Sequence, residues 1–383
     1  MSRILTLNAG SSSIKFSVYE AGDPPSLDAG GQIESLGSDD AQLTLKVAGE
    51  RTTHAIGRAD HGAGVAAILD ALAPVLDGAP VTGVGHRIVH GGTEHAAPAT
   101  LDAAVMEYLA AFEPFAPLHQ PHNLAAVRAA QAAFPDAVQV GCFDTAFHRG
   151  HPWENDTFAL PRRFYDKGVR RYGFHGLSYD FISGRLREID PQADARRTVV
   201  CHLGNGASMC ALHEGRSVAS TMGFSALDGL PMGTRCGQID PGVLLYLIQQ
   251  EGMTADEVST LLYKESGLKG LSGLSNDMRE LEAAGTREAE EAIAYFVFRI
   301  RREIGAMASI LGGLDTLVFT GGIGEHSDRV RRDVCDTLGW LGVSIDPAAN
   351  AAHVGVISTG AVTVRVVPTD EEIVIARAVN DRL

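Results

Sequence analysis

The chain has 383 residues, 45% of them hydrophobic, with a formal net charge of -15 and a pI near 5.3. That length suits two domains of ordinary size, each able to bury a core. The acidic balance argues against nucleic-acid binding, which rests on Lys and Arg at phosphates, and no apolar run reaches membrane-span length. The five cysteines (Cys142, Cys201, Cys210, Cys236, Cys335) are scattered, with no C-x-x-C. They fit free thiols in a reducing compartment. Residues 1–7 lead straight into a strand rather than a signal peptide, so a cytoplasmic protein is expected.

The predicted elements begin with a hairpin, strands 3–7 and 14–19, around a turn reading NAGSSS. GDPP at 22–25 is a turn, and short strands follow near 32–35 and 43–47. A helix over 61–76 places Val65, Ile68, Leu69 and Leu72 on one face. A strand over 81–89 ends in GHRIVHGG. Helices over 102–112 and 121–134 flank a Pro-broken loop at 113–120. A strand over 137–143 delivers Asp144 at its end. After an irregular segment, 151–167, a helix spans 177–189. A second hairpin follows at 198–212, TVVCHLGNGASMCAL, then a strand near 217–221. The aperiodic loop 223–242 is long enough to suggest function. Helices are expected over 243–251, 255–263 and 288–311. In the last, Ile293, Phe296, Val297, Ile300, Ile304, Met307 and Leu311 form a stripe, most simply core, alternatively a subunit interface. A strand over 314–320 enters a third glycine turn, GGIGEHS. A strand over 362–367 and a helix over 373–383, packed back on the first domain, complete a plan of mixed sheets flanked by helices.

Each hairpin turn alone reads equally well as a plain turn or as a phosphate cradle of backbone N–H groups. Two such units suggest a duplicated domain, and a cleft between two halves suits a nucleotide. Of the strand-end cations Lys15, Arg87, Arg171, Arg235 and Arg279, Arg87 and Arg235 stand out. Each sits in a Gly-rich loop, where a guanidinium fork can hold a carboxylate or phosphate. Asp144 and Glu371 are the acidic candidates. Asn8 and Glu371 could serve Mg²⁺ alongside ATP phosphates. There is no H-E-x-x-H, no G-x-G-x-x-G opening a helix and no G-x-x-x-x-G-K-[ST], which argues against a zinc enzyme, a dinucleotide-binding domain and a P-loop protein.

Eight motifs in one order, LNAGSSSIKF, GHRIVHGG, FDTAFH, RRYGFHGLS, CHLGNGAS, GLPMGTRCGQIDPG, FTGGIGEHS and PTDEEIVIA, resemble the acetate and propionate kinase family nearly end to end. That family lies within the actin-like, chaperone-like and sugar-kinase ATPases. The resemblance implies an α/β fold of two duplicated actin-like (ribonuclease H-like) domains, 1–147 plus 371–383 and 148–370, with the nucleotide between them. It implies reversible, direct in-line phosphoryl transfer between ATP and acetate, giving ADP and acetyl phosphate. It also implies Mg²⁺, with Mn²⁺ as an alternative, and a homodimer with no nucleic-acid or membrane partner.

Residue by residue, the resemblance makes Asn8 and Glu371 metal-linked and Lys15 an ATP-phosphate contact. Arg87 would hold the acetate carboxylate, with Val89, Leu118 and Phe174 lining the methyl pocket. Asp144 matches the active-site acid or base. Acetate is already ionised at neutral pH, so Asp144 is expected to orient metal-bound water or the attacking carboxylate instead. His175 and Arg235 match transition-state stabilisers. His202, Leu203, Gly204, Asn205 and Gly206 match a nucleotide-phosphate loop. Asp277, Met278 and Arg279, with Gly322, Ile323, Gly324, Glu325 and His326, match contacts to the nucleoside end. Many members carry Asn where this chain has Gln120 and His326, and Pro where it has Ala226. The closer rival is a propionate or other short-chain carboxylate kinase; the remoter one is an actin- or chaperone-like ATP switch.

Overall fold

The computed structural model describes residues 2–10, 12–117 and 119–383. The chain divides into two compact units, Met1–Arg149 with Asp370–Leu383, and Gly150–Thr369.

The first unit is built on one sheet. Its strands are β1 (Arg3–Ala9), β2 (Ile14–Glu20), β3 (Ser26–Glu34), β4 (Gln42–Val47), β5 (Glu50–Ala55), β6 (Val81–Ile88), β7 (Ala99–Thr100) and β8 (Val138–Phe143), in spatial order β5-β4-β3-β2-β1-β6-β8-β7. β1, β6 and β8 run parallel, and the other neighbours are antiparallel. β5 has no counterpart in the sequence reading, because its six residues, ERTTHA, are all exposed and show no alternation. Helix α1 (His61–Leu76) starts where Asp60 caps it, its carboxylate accepting the Ala63 N–H at 2.8 Å. That satisfies one of the orphan donors of a helix start. Its Val65, Ile68 and Leu72 are buried in one core with Ile14, Phe16, Ile33 and Leu43 of the sheet. α2 (Ala103–Ala110) and α3 (Gln120–Ala133) follow.

The C-terminal helix, Glu371–Asn380, lies directly on β6. A Cβ on Gly83 would come within 2.3 Å of Val379, and one on Gly85 within 2.3 Å of Ile375. The two glycines therefore set how closely the helix approaches, and with it where Glu371 stands.

The second unit holds β9 (Thr198–Leu203), β10 (Ala207–His213), β11 (Arg216–Ser220), β12 (Thr316–Thr320) and β13 (Thr363–Val366), in order β11-β10-β9-β12-β13. This repeats β3-β2-β1-β6-β8 in order and polarity. Its helices include α4 (Gly176–Ile189), α5 (Pro241–Gln249), α6 (Met278–Ala284), α7 (Arg287–Leu311), α8 (Gly321–His326) and α9 (Asp328–Cys335). Along α7, residues Ile293, Phe296, Val297, Ile300, Ile304 and Met307 are buried and Leu311 is half-buried, so the stripe is core. The third glycine segment is not an open turn but the helix α8. Gly321, at φ 77°, leads the chain off β12, and the Glu325 carboxylate accepts its N–H at 2.9 Å. Among the described residues, no helix is long and apolar enough to cross a membrane.

Candidate active site

The ends of the first unit's parallel strands carry charge. Arg87 is the penultimate residue of β6 and Asp144 follows β8. Arg87 grips Asp144 with two parallel bonds, Nε to Oδ1 at 2.9 Å and Nη2 to Oδ2 at 2.7 Å. Its Nη1 donates to Asn8 Oδ1 on β1 at 3.2 Å. Glu371, the first residue of the C-terminal helix, has a carboxylate oxygen 3.9 Å from Arg87 Nε. Lys15 sits opposite Asn8 across the hairpin.

Burial pushes the Glu371 carboxyl above the usual range. Arg87 pulls it back, and Asp144 adds to the push. Glu372 is likewise raised, by burial and then by Glu371. Burial works against the Arg87 charge, but Asp144 and Glu371 outweigh it and hold the guanidinium ionised. The neighbourhood is rich in carboxyls (Asp144, Asp370, Glu371, Glu372) against Arg87 and Lys15.

The segment after β6 is pinned from α3. Asn123 accepts the Val89 N–H at 2.9 Å and donates to the Ala9 carbonyl at 2.6 Å. Gln120 accepts the His90 N–H at 3.1 Å and donates to the His90 and Leu109 carbonyls. The sequence reading noted Gln120 only as a departure and missed Asn123. The signal was two amides, i and i+3, on a helix face that is otherwise apolar. His86 is pushed down to about 4 and His90 to about 3, mainly by burial. Val89 and Phe174 are buried; Leu118 lies outside the described residues.

In the second unit the equivalent hairpin is surrounded by hydroxyls and imidazoles. His175, at φ 57° just before α4, bonds Ser208 Oγ through Nδ1 at 2.8 Å. Ser208 also bonds the Tyr179 hydroxyl. His202 stacks on His175 with centroids 4.3 Å apart and bonds Ser178 Oγ at 2.8 Å. A Cβ placed on Gly206 would sit 3.2 Å from His175 Nε2 and 4.0 Å from Arg235 Nη1. His175 and Arg235 thus converge on the glycine turn. Arg235 is held by the Ala226 carbonyl at 3.0 Å.

Beside this turn opens a cavity of about 430 Å³. It is lined by Gly204 and Asn205, by Asp277, Met278 and Arg279, and by Gly322, Ile323 and His326. Asn276, Glu282 and Ser327 also line it, and the sequence reading named none of them. Asp277 caps α6 and pairs with Arg279, whose hydrogen bonds hold its carboxyl below the ordinary value. Gly324 and Glu325 do not line the cavity. The Glu325 carboxylate is turned to the Gly321 and Thr369 N–H groups. Arg331 of α9, wholly buried, donates to the Gly324 and Glu325 carbonyls and to Asn350, which fixes α8 from behind.

The chain is 53% identical over 396 residues to the acetate kinase of Methylocella silvestris, covering 98% of this chain and 97% of that one. Its fold matches a propionate kinase from Francisella tularensis (TM-score 0.93, 34% identity, 99% of each chain covered). It also matches the Porphyromonas gingivalis acetate kinase (TM-score 0.89, 39% identity, 98% of each). The model of the acetokinase family matches residues 3–377, and the chain belongs to that family of phosphotransferases.

Proposed function

We propose that the protein transfers a phosphoryl group reversibly between ATP and acetate. The observation that carries this reading is a family match over residues 3–377 together with one cavity lined by nucleotide candidates from three separate segments, Gly204 and Asn205, Asp277 to Arg279, and Gly322, Ile323 and His326. ATP would lie there with its phosphates toward residues 204–206. In the first unit, Arg87 has Nε and Nη2 engaged by Asp144 and Nη1 by Asn8, and the second N–H of each Nη would receive the acetate carboxylate. The carboxylate attacks the γ-phosphorus as the bond to ADP breaks. His175 and Arg235 offset the charge spread over the moving group. Asp144 needs no proton to remove and instead holds the Arg87 fork in place.

Mg²⁺ fits the donor set around Arg87, which is all oxygen and carries more carboxyls than cations. No three His, Cys, Asp or Glu side chains converge as a metal site among the described residues. Asn8 and Glu371 would hold the ion with help from phosphate oxygens. Bound there, it would neutralise phosphate charge.

The reading also places the protein in the cytoplasm, where five scattered cysteines with no C-x-x-C are at home, and makes it a homodimer. α5 buries none of its residues, and its Leu245 and Tyr246 are 55% and 53% exposed. Leu245→Glu is expected to shift the protein from dimer to monomer in light scattering; an unchanged mass would place the interface elsewhere.

The deciding assay measures ADP formation against acetate, propionate and butyrate. Acetate should give the highest kcat/KM. Turnover indifferent to carboxylate would overturn the kinase reading.

A further inference from the structure

Strands β2, β3 and β4 pack one face on the core, and together with β5 they present the other as a groove. Residues paired across antiparallel strands share a face. The rows Lys15–Gln32–Thr44–Thr53 and Ser17–Gly30–Lys46–Arg51 therefore lie together. They bound a space of about 270 Å³, lined by Lys15, Ser17, Gln32, Thr44, Lys46 and Arg51.

Lys46 lies directly opposite Arg51. Like charges so placed destabilise a strand pair. Among the described residues neither forms an ion pair, in a chain with 47 acidic residues to 32 Lys and Arg. One carboxyl, Glu372, lines the groove at the Lys15 end. Two ammonium groups, a guanidinium fork, an amide and hydroxyls form a donor set suited to a tetrahedral anion.

We propose that this groove binds a small phosphate-bearing anion through Lys46, Arg51 and Lys15, in addition to the nucleotide cavity. Lys15 is also the residue assigned above to ATP phosphates. On that reading, an occupied groove competes with ATP and raises its KM.

The test is calorimetric titration of inorganic phosphate into nucleotide-free protein at constant ionic strength. K46A/R51A should weaken phosphate binding about tenfold or more, since two charge-assisted bonds are lost. K46R/R51K should retain it. R162A/R163A, which removes two cations from another surface, should leave it unchanged. Equal affinity in wild type and K46A/R51A, or equal weakening by R162A/R163A, would overturn the proposal. Both positions are exposed, so the variants should fold, and a thermal melt checks this. The titration needs no turnover, so it stands or falls separately from the kinase reading.

Discussion

The two opening hairpins share a backbone and differ in chemistry. β1-β2 and β9-β10 take the same place in sheets of the same order and polarity. Asn8 and His202 each stand one residue before the last of their first strand. Around Asn8 lie a guanidinium, an ammonium and several carboxyls. Around His202 lie another imidazole, a phenol and three hydroxyls. One copy is thus an ion cluster whose charge is tuned by burial; the other is a hydrogen-bonded frame that aims His175 at a glycine turn. Duplication supplies a ledge at the strand ends, and the side chains added there decide which reactant it suits.

The sharpest break belongs to the second hairpin. Arg235→Ala should lower kcat by about 10³–10⁵, the range for arginines that offset phosphoryl charge. Arg235→Lys should not rescue it, because a point charge lacks the fork. A folded alanine variant with near-wild-type kcat would remove Arg235 from the chemistry.

At the first hairpin, Asp144→Asn removes the charge and replaces one of the two accepting oxygens that orient Arg87 with a donor NH2 group, which breaks the paired grip. A misplaced binding group costs about 10² in rate. The variant should therefore lose about that much in kcat and need more Mg²⁺. If Mg²⁺ dependence stayed the same and an acid-limb pKa vanished from the kcat profile, Asp144 would be a base after all.

A smaller effect separates the hairpins by pH. Glu371 has a folded-state pKa above the unfolded value of about 4.3. Between those two values the native state binds more protons, so stability falls as pH rises through the window. Glu371→Gln removes that penalty. Its Tm should exceed the wild-type value at pH 7–8, and the difference should fade below about pH 4. Mg²⁺ should raise the Tm of wild type more than that of the variant. A Tm gap independent of pH would mean that Glu371 is not held under strain by burial.

Much of this was legible in the sequence because the signals were local. Asp60 fixes the start of α1, and apolar runs mark β1, β2, β9 and β10. The resemblance supplied the cavity residues Asp277, Met278 and Arg279 in advance. What the sequence hid was relational. β5 has no apolar face and is a strand only because β4 pairs with it. Residues 321–326 read as a glycine turn, and the helix there depends on Glu325 folding back on Gly321 and on Arg331 gripping it from behind. Asn123 and Ser208 look like ordinary polar residues until their partners, the Val89 N–H and His175, are brought to them.

The smallest expected effect concerns Ala226. Its carbonyl holds Arg235, and proline would keep that carbonyl, so Ala226→Pro should leave the second hairpin's catalysis largely intact. Proline adds ring volume in the loop that carries Arg235. If that loop bounds the methyl pocket, the alanine leaves room for one more methylene. Discrimination over a methylene is worth about 1–3 kcal/mol. Wild type should accordingly use propionate less well than acetate, and butyrate less well again. Ala226→Pro should then lower kcat/KM for propionate more than for acetate. Leu230, fully buried in the same loop, limits how far the segment can adjust. Equal losses for the two acids would move the size filter to Val89 or Phe174.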